Sequence, residues 1–525
     1  MSETAHVTKA AGVVSTATLS SRILGFLRDM VIAWFFGAGL SADAFFVAFR
    51  IPNLLRRLFA EGSLTAAFIP VFTEHLYKGG RDEAFGLARS AWWLLALILA
   101  AGSVVGILLA PLIVRIIAPG FLASPGKYEL TVLLTRVMFP YIFFIGLVAL
   151  SMGILNSLGH FAAPALAPVL LNVAMIGSVL LFSNHLAKPS LGLAIGVIIG
   201  GCLQLGLQIP FLIRKGFCLR IARPLYHAAI KRIAVLMTPA VFGAAVYQIN
   251  ILVGTLLASL LPEGSVSYLY YADRLVQFPL GVFAIALATA VLPSLSRQAA
   301  IGDIDGLRES FSYALKLVFF ISIPAMIGLI ILREPIVRLL FQRGSFDATT
   351  TRLTAEALFY YAIGLWAFSG VRIVVATFYS LQDTMTPVKI AIVSLLLNIL
   401  LSILLMKPML HAGLALATSL SSGVNLVLLL AALRRRLGGI CAYEVLLSIF
   451  KSVASATVMG SIIAVVWVWS APICNQSTWY LLALIGGSVI AGCVVYATSA
   501  SLFKCGELRP VIDMIKAGLG KRTGS

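Results

Sequence analysis

The 525-residue chain is 60% hydrophobic and only 11% charged, with a mean hydropathy of +1.01. A soluble domain needs about a quarter of its residues charged, so a water-soluble globular protein is excluded. The formal net charge of +19 would suit nucleic acid, but it also arises when the loops on one side of a membrane collect Lys and Arg.

About fourteen stretches are long and apolar enough to cross a bilayer, each needing about 20 residues, and short polar loops separate them. The first has no small-residue cleavage site and carries Arg22, Arg28 and Asp29, so it is expected to stay as a helix and not to be removed as a signal. With the N-terminus inside, the inner loops hold Lys78 and Arg81, then the run from Arg214 to Arg232, then Arg297 and Arg308, then Arg434 to Arg436, and a basic tail. Both termini then lie in the cytoplasm by the positive-inside rule, and no nucleic-acid partner is needed. The outer loop with Arg333, Arg338, Arg343 and Arg352 departs from this trend.

A charge near the bilayer centre costs about 2.5–3.5 kcal/mol on insertion scales, so one that is retained faces a cavity or a partner. In the first helix Arg22 and Asp29 lie seven residues apart, about 20° from one face, with Arg28 about 100° away. In the second, Arg50 and Arg57 share a face by the same spacing, Arg56 is adjacent, Asn53 lies four before Arg57 and Glu61 four after it. Pro52 removes a backbone bond and should bend this helix. The alternative is that Arg28 with Asp29, and Arg57 with Glu61, are ion pairs that only support the fold.

An internal repeat runs through the chain at an offset of about 220 residues. Ala48-Phe49-Arg50 matches Ala272-Asp273-Arg274, and Ile69-Pro70-Val71-Phe72 matches Leu292-Pro293-Ser294-Leu295. Leu158 to Pro164 matches Leu381 to Pro387, and Gly192-Leu193-Ala194 matches Gly413-Leu414-Ala415. Each copy holds six spans, an even number, so the copies should be related by an axis along the membrane normal with the substrate between them. The expected fold is an all-α polytopic membrane protein with two six-helix lobes, 1–218 and 219–437, around a central cavity. Two extra C-terminal helices occupy 438–525.

Arg274, with Asp273 beside it, falls where Arg50 lies in the first copy, so the lobes can present cations to each other. Arginine forks bind phosphate oxygens in pairs and stay charged in any environment, which favours a diphosphate over a carboxylate or a neutral sugar. No Walker loop, HExxH, GxSxG or dinucleotide fingerprint occurs in a credible context, so no catalytic residue, metal ligand or cofactor is assigned. The scattered cysteines read as packing residues. His75, His160, His185, His227 and His411 read as solvated, and Trp92, Trp93, Trp479 and Tyr480 as interfacial.

Three segments, Ser21 to Asp29 (SRILGFLRD), Ala42 to Gly62 (ADAFFVAFRIPNLLRRLFAEG) and Tyr270 to Pro279 (YYADRLVQFP), resemble those of the MurJ (MviN) lipid II flippases, and the similarity runs through essentially all the spans. The resemblance implies the fold of the multidrug/oligosaccharidyl-lipid/polysaccharide exporter superfamily, with alternating access around a cationic cavity in the bacterial inner membrane. It implies lipid II, an undecaprenyl-diphosphate-linked disaccharide pentapeptide, as the substrate, flipped outward for peptidoglycan synthesis, with membrane lipids and cell-wall synthesis proteins as further partners. On matching positions the family's cavity arginines correspond to Arg22, Arg28, Arg56 and Arg274, with Asp29 beside them, and Asp43 and Glu61 fall in the same motifs. The last helix pair is implied to form a groove for the lipid tail, where Gly460, Gly486, Gly487 and Gly492 would allow close backbone approach. Some relatives use sodium in the second lobe, but Asn398 and Thr418 here are generic polar residues. The drive is left to a coupling ion, the membrane potential or product consumption. The competing readings are an ion-coupled exporter of drugs or of another polyprenyl-diphosphate-linked saccharide, and a scaffold that transports nothing.

Overall fold

The computed structural model describes residues 3–58, 64–220, 227–439, 442–470 and 477–513. Among them every regular element is helical, as lipid requires: each backbone N–H and C=O must find its partner within its own segment. The chain divides into two compact units, Met1–Ser267 with Arg343–Phe346, and Tyr268–Gln342 with Asp347–Ser525.

The first unit contains α1 (Glu3–Phe36), α2 (Leu40–Leu58), α3 (Leu64–Lys78), α4 (Gly80–Ile117), α5 (Lys127–Met138), α6 (Tyr141–Ser157), α7 (Ala162–Phe182), α8 (Leu191–Arg214) and α9 (Ala228–Ser259). In the span formed by α5 and α6, 72% of the most apolar window is buried, against 28% in α4. The α5–α6 span is therefore the centre of the unit, and α4 turns its apolar side to lipid. The core between them is aromatic: the Phe68 and Phe72 rings stack 5.4 Å apart, and Phe217 meets Phe85 and Trp92. Trp92 is thus buried in the core instead of lying in an interfacial belt, while Trp93 donates from Nε1 to the Arg220 carbonyl oxygen. Helices α7 and α8 approach closely because α8 carries glycine at the contact. A Cβ on Gly196 would fall 2.8 Å from Ser178 and one on Gly200 2.6 Å from Leu171, the small-residue packing common between membrane helices.

The second unit contains most of α10 (Ser265–Pro279), then α11 (Ile285–Ala300), α12 (Ile304–Ile331), α13 (Arg333–Phe341), α14 (Ala348–Ile363), α15 (Leu365–Ser380), α16 (Met385–Leu437), α17 (Ala442–Ser470) and α18 (Thr478–Leu502). A π-helical turn at Leu280–Ala284 joins α10 to α11 directly after Pro279, where the missing proline N–H loosens the ladder. Helix α16 is broken at Leu410, whose φ of 51° and ψ of −131° lie outside the helical region, so its 53 residues make two spans.

Among the described residues nine helical stretches, two of them the continuous pairs α5 with α6 and α10 with α11, are long and apolar enough to cross a membrane, and α14 with α15, bent by 43°, supplies a tenth crossing. The second limb of α16, the charged helix α1, the pair α2 with α3, and α9 complete the fourteen expected spans. The final pair packs through small residues only in part. A Cβ on Gly460 would meet Ile327 at 2.6 Å and one on Gly492 would meet Ile463 at 2.9 Å, whereas Gly486 and Gly487 face open space. Tyr496 of α18 donates its hydroxyl to the Phe320 carbonyl of α12 at 2.7 Å. Two smaller expectations change. Of the described cysteines, Cys202, Cys218 and Cys493 are exposed and only Cys505 is packed. His411 is 4% exposed and its Nε2 lies 2.9 Å from the Leu353 carbonyl oxygen, so it is a satisfied core histidine and not a solvated one.

The duplication is visible in the turns. Leu158 and Leu381 each end a helix, and the residues after them, Gly159 and Gln382, have φ of 74° and 57°. His160 then donates its N–H to the Leu155 carbonyl, and Asp383 donates to that of Phe378, the same closing bond in both copies. Gly80 and Gly302, and Gly216 and Gly438, repeat the pattern at positive φ. The side chains have diverged. His160 stacks on Phe211 at 4.5 Å, and burial together with Lys215 favours its neutral form. Asp383 instead caps α16, accepting from the Thr386 N–H at 3.0 Å and from its hydroxyl at 2.8 Å. That backbone bond holds the Asp383 carboxyl below its usual range.

Gln382 occupies a left-handed conformation in which its counterpart is glycine, and a side chain there costs about 1 kcal/mol. Gln382→Gly should therefore raise the thermal unfolding midpoint of the detergent-solubilised protein. An unchanged or lower midpoint would show that the Gln382 side chain compensates its own strain.

Candidate functional site

The charges of the first unit's helices form distinct clusters. Arg28 is 8% exposed and Asp29 2%. The Arg28 Nε and Nη2 both donate to Asp29 Oδ1, at 3.0 and 2.7 Å, while Nη1 donates to Oδ1 of Asn172 on α7 at 3.1 Å. Helical spacing placed Asp29 near the face of Arg22, but the pair forms between neighbours because the long arginine side chain folds back across about 100° of helix. Arg22 is exposed and makes no ion pair or hydrogen bond among the described residues.

On α2, Arg56 donates from Nε and Nη2 to Oδ1 of Asn53 at 3.2 and 3.1 Å. Asn53 thus serves the residue three positions on, and the Arg57 guanidinium lies 6.0 Å from the Tyr247 ring of α9. Arg50, Asn53 and Leu54 line a narrow hollow with Gln248, Ile251 and Leu252 of α9. Glu61, the expected partner of Arg57, lies outside the described residues.

Asp43 sits elsewhere in this unit. It is 1% exposed and pairs with Lys127 Nζ at 2.7 Å, while the N–H groups of Gly264 and Ser267 donate to it at 2.8 and 2.9 Å and the Ser267 hydroxyl at 2.6 Å. Lys127, itself 3% exposed, also lies 4.3 Å from the Phe121 ring. Each of these Asp43 partners lies outside the arginine clusters, so the carboxylate anchors the start of α10 and the start of α5 to α2. Lys127 follows a Pro125-Gly126 turn and lies 84 residues from Asp43, too far for a local pattern to mark the pair.

In the second unit, Arg274 Nη2 donates to the Tyr270 hydroxyl at 2.9 Å and its guanidinium stacks 4.9 Å from that ring. Asp273 is exposed and accepts from Gln277 at 3.4 Å. Among the described residues no three His, Cys, Asp or Glu side chains are close enough to share a metal ion.

The chemistry available is therefore that of arginine. Arg28 meets the Asp29 carboxylate, Arg56 the Asn53 carboxamide, and the guanidinium groups of Arg57 and Arg274 lie against the rings of Tyr247 and Tyr270. Such neighbours hold a guanidinium without cancelling its charge, and a planar fork suits an anion with several oxygens.

The family model described as "Lipid II flippase MurJ" matches residues 32–488. A probable lipid II flippase MurJ from Vibrio cholerae is 42% identical over 424 residues, covering 79% of this chain and 81% of that protein. The lipid II flippase MurJ of Burkholderia cenocepacia is 40% identical over 427 residues, 81% and 83% of the two chains. Among solved structures, a lipid II flippase MurJ in an inward closed conformation superposes with a TM-score of 0.79 at 28% identity, over 95% of this chain and 99% of that one. An inward-facing multidrug resistance MATE transporter of the MOP superfamily gives 0.69 at 16% identity, over 82% and 98%, a likeness of fold alone.

Removing one member of a buried ion pair typically costs about 3–5 kcal/mol. Lys127→Met should accordingly lower the unfolding midpoint sharply, and Lys127→Met with Asp43→Asn should recover part of the loss. A single variant as stable as the parent would contradict the anchoring role of this pair.

Proposed function

The chain belongs to the MurJ lipid II flippase family, and on that premise we propose that it carries lipid II from the cytoplasmic to the periplasmic leaflet of the bacterial inner membrane by alternating access. It is a transporter and not an enzyme. The observation that carries this reading is the set of arginines on spanning helices of both units, Arg22, Arg28 and Arg56 in one and Arg274 in the other.

In this reading the two sequence copies, 1–218 and 219–437, act as the two lobes, and both termini lie in the cytoplasm. The diphosphate enters the cavity and meets the arginines, while the polyprenyl tail stays in lipid against the helices of 438–525. Asp29 fixes Arg28; Asn53 fixes Arg56; Arg50 and Arg57 extend the positive field along α2, and Asp273 tempers it beside Arg274. Glu61 is assigned a supporting role by its motif. A cationic drug would be repelled by such a set, which disfavours the exporter reading.

The chain requires an external drive. An anion leaving a negative interior runs down the membrane potential, each charge gaining about 2.3 kcal/mol per 100 mV. A coupling ion, or consumption of lipid II by cell-wall synthesis enzymes on the outer face, can supply the same direction.

Arg28→Ala and Arg274→Ala should each abolish the outward appearance of lipid II in cells depleted of the parent protein, while the variants still insert at parent levels. Normal translocation by both variants would sink the reading.

A further inference from the structure

We propose that Asn172 is a positioning residue for Arg28: a neutral bracket that fixes the guanidinium of the diphosphate site without cancelling its charge. This rests on the reading of Arg28 as part of that site.

Asn172 lies on α7, is 6% exposed, and uses both ends of its carboxamide on α1. Oδ1 accepts from Arg28 Nη1 at 3.1 Å, and Nδ2 donates to the Ser21 carbonyl oxygen at 3.1 Å. Between them lies Gly25, where a Cβ would stand 3.6 Å from Nδ2. Positions 21, 25 and 28 follow the i, i+4, i+7 spacing of a single helical face, so the carboxamide spans two turns of α1 and ends on the guanidinium.

Nε and Nη2 both donate to Asp29 Oδ1, so this contact holds one edge of the group. A third bond on Nη1 sets the plane, which matters because arginine recognises phosphate through a planar fork and loses the advantage when misaligned. An amide is the group that fits. Leucine can neither accept nor donate. Aspartate could accept from Arg28 but could not donate to the Ser21 carbonyl, and with Asp29 it would place two negative charges on one cation.

The test is lipid II binding to the purified full-length protein in nanodiscs, with the unfolding midpoint measured on each variant. A bond to a charged group is worth roughly a tenfold change in affinity. Asn172→Leu should weaken binding about tenfold in the parent, yet add little in an Arg28→Lys background. Asn172→Asp keeps the size and the acceptor and should also weaken binding about tenfold in protein whose unfolding midpoint shows it folded, which decides the matter even if the leucine variant does not fold. Parent-like affinity in Asn172→Asp, or effects of Asn172→Leu and Arg28→Lys that add in full, would overturn the role of Asn172. Should Arg28→Ala bind lipid II like the parent, the reading of the Arg28 site falls and takes this role with it. Loss of binding in Arg28→Ala beside parent-like Asn172 variants removes the role of Asn172 alone.

Discussion

A guanidinium cannot be stripped of water at membrane depth unless an acceptor or a ring face replaces that water, and this constraint shapes everything around the arginines of α1, α2 and α10. A carboxylate is the cheapest substitute but also neutralises the charge. The chain uses one for Arg28 together with Asn172, sets Asn53 against Arg56, and lays the rings of Tyr247 and Tyr270 beside Arg57 and Arg274. Carboxamide oxygens and aromatic faces stabilise a cation while leaving its field largely intact. An arginine held in this way stays charged in a bilayer and can still attract an anion.

Structural ion pairing is handled separately. Asp43 and Lys127 are more deeply buried than any of the arginines and satisfy each other together with the backbone of α10's first turn. That pair leaves no exposed charge for a ligand, and its work is to fix helix ends. Asp43 and Asp29 thus have different tasks: Asp43 pairs with Lys127 and Asp29 with Arg28.

Much of this was legible beforehand because lipid simplifies the code. Apolar stretches of spanning length, the repeat offset and the matched turns at Leu158 and Leu381 follow from periodicity and from backbone demands that recur in both copies. The arginines were legible because charge within an apolar run is anomalous. Their partners were legible only in part: the Arg28 pair with Asp29 was already open as the alternative reading. Helical spacing grouped Arg22 with Asp29 and Asn53 with Arg57, since it locates Cβ atoms and ignores the reach of an arginine, whereas Asn53 binds Arg56. Asn172 and Lys127 lie 144 and 84 residues from the groups they bind, and a single asparagine in an apolar helix or a lysine after a Pro-Gly turn carries no local mark of such a contact.

The central claim is that the arginines recognise a diphosphate at membrane depth. Its most direct test compares the affinities of undecaprenyl diphosphate, undecaprenyl monophosphate and undecaprenol for the nanodisc-embedded protein, in the parent and with Arg22, Arg28, Arg56 and Arg274 replaced by glutamine. The account predicts a steep decline from diphosphate to monophosphate to alcohol in the parent and nearly equal, weak binding in the glutamine protein. Equal affinities in the parent, or an unchanged order after the charges are removed, would contradict it.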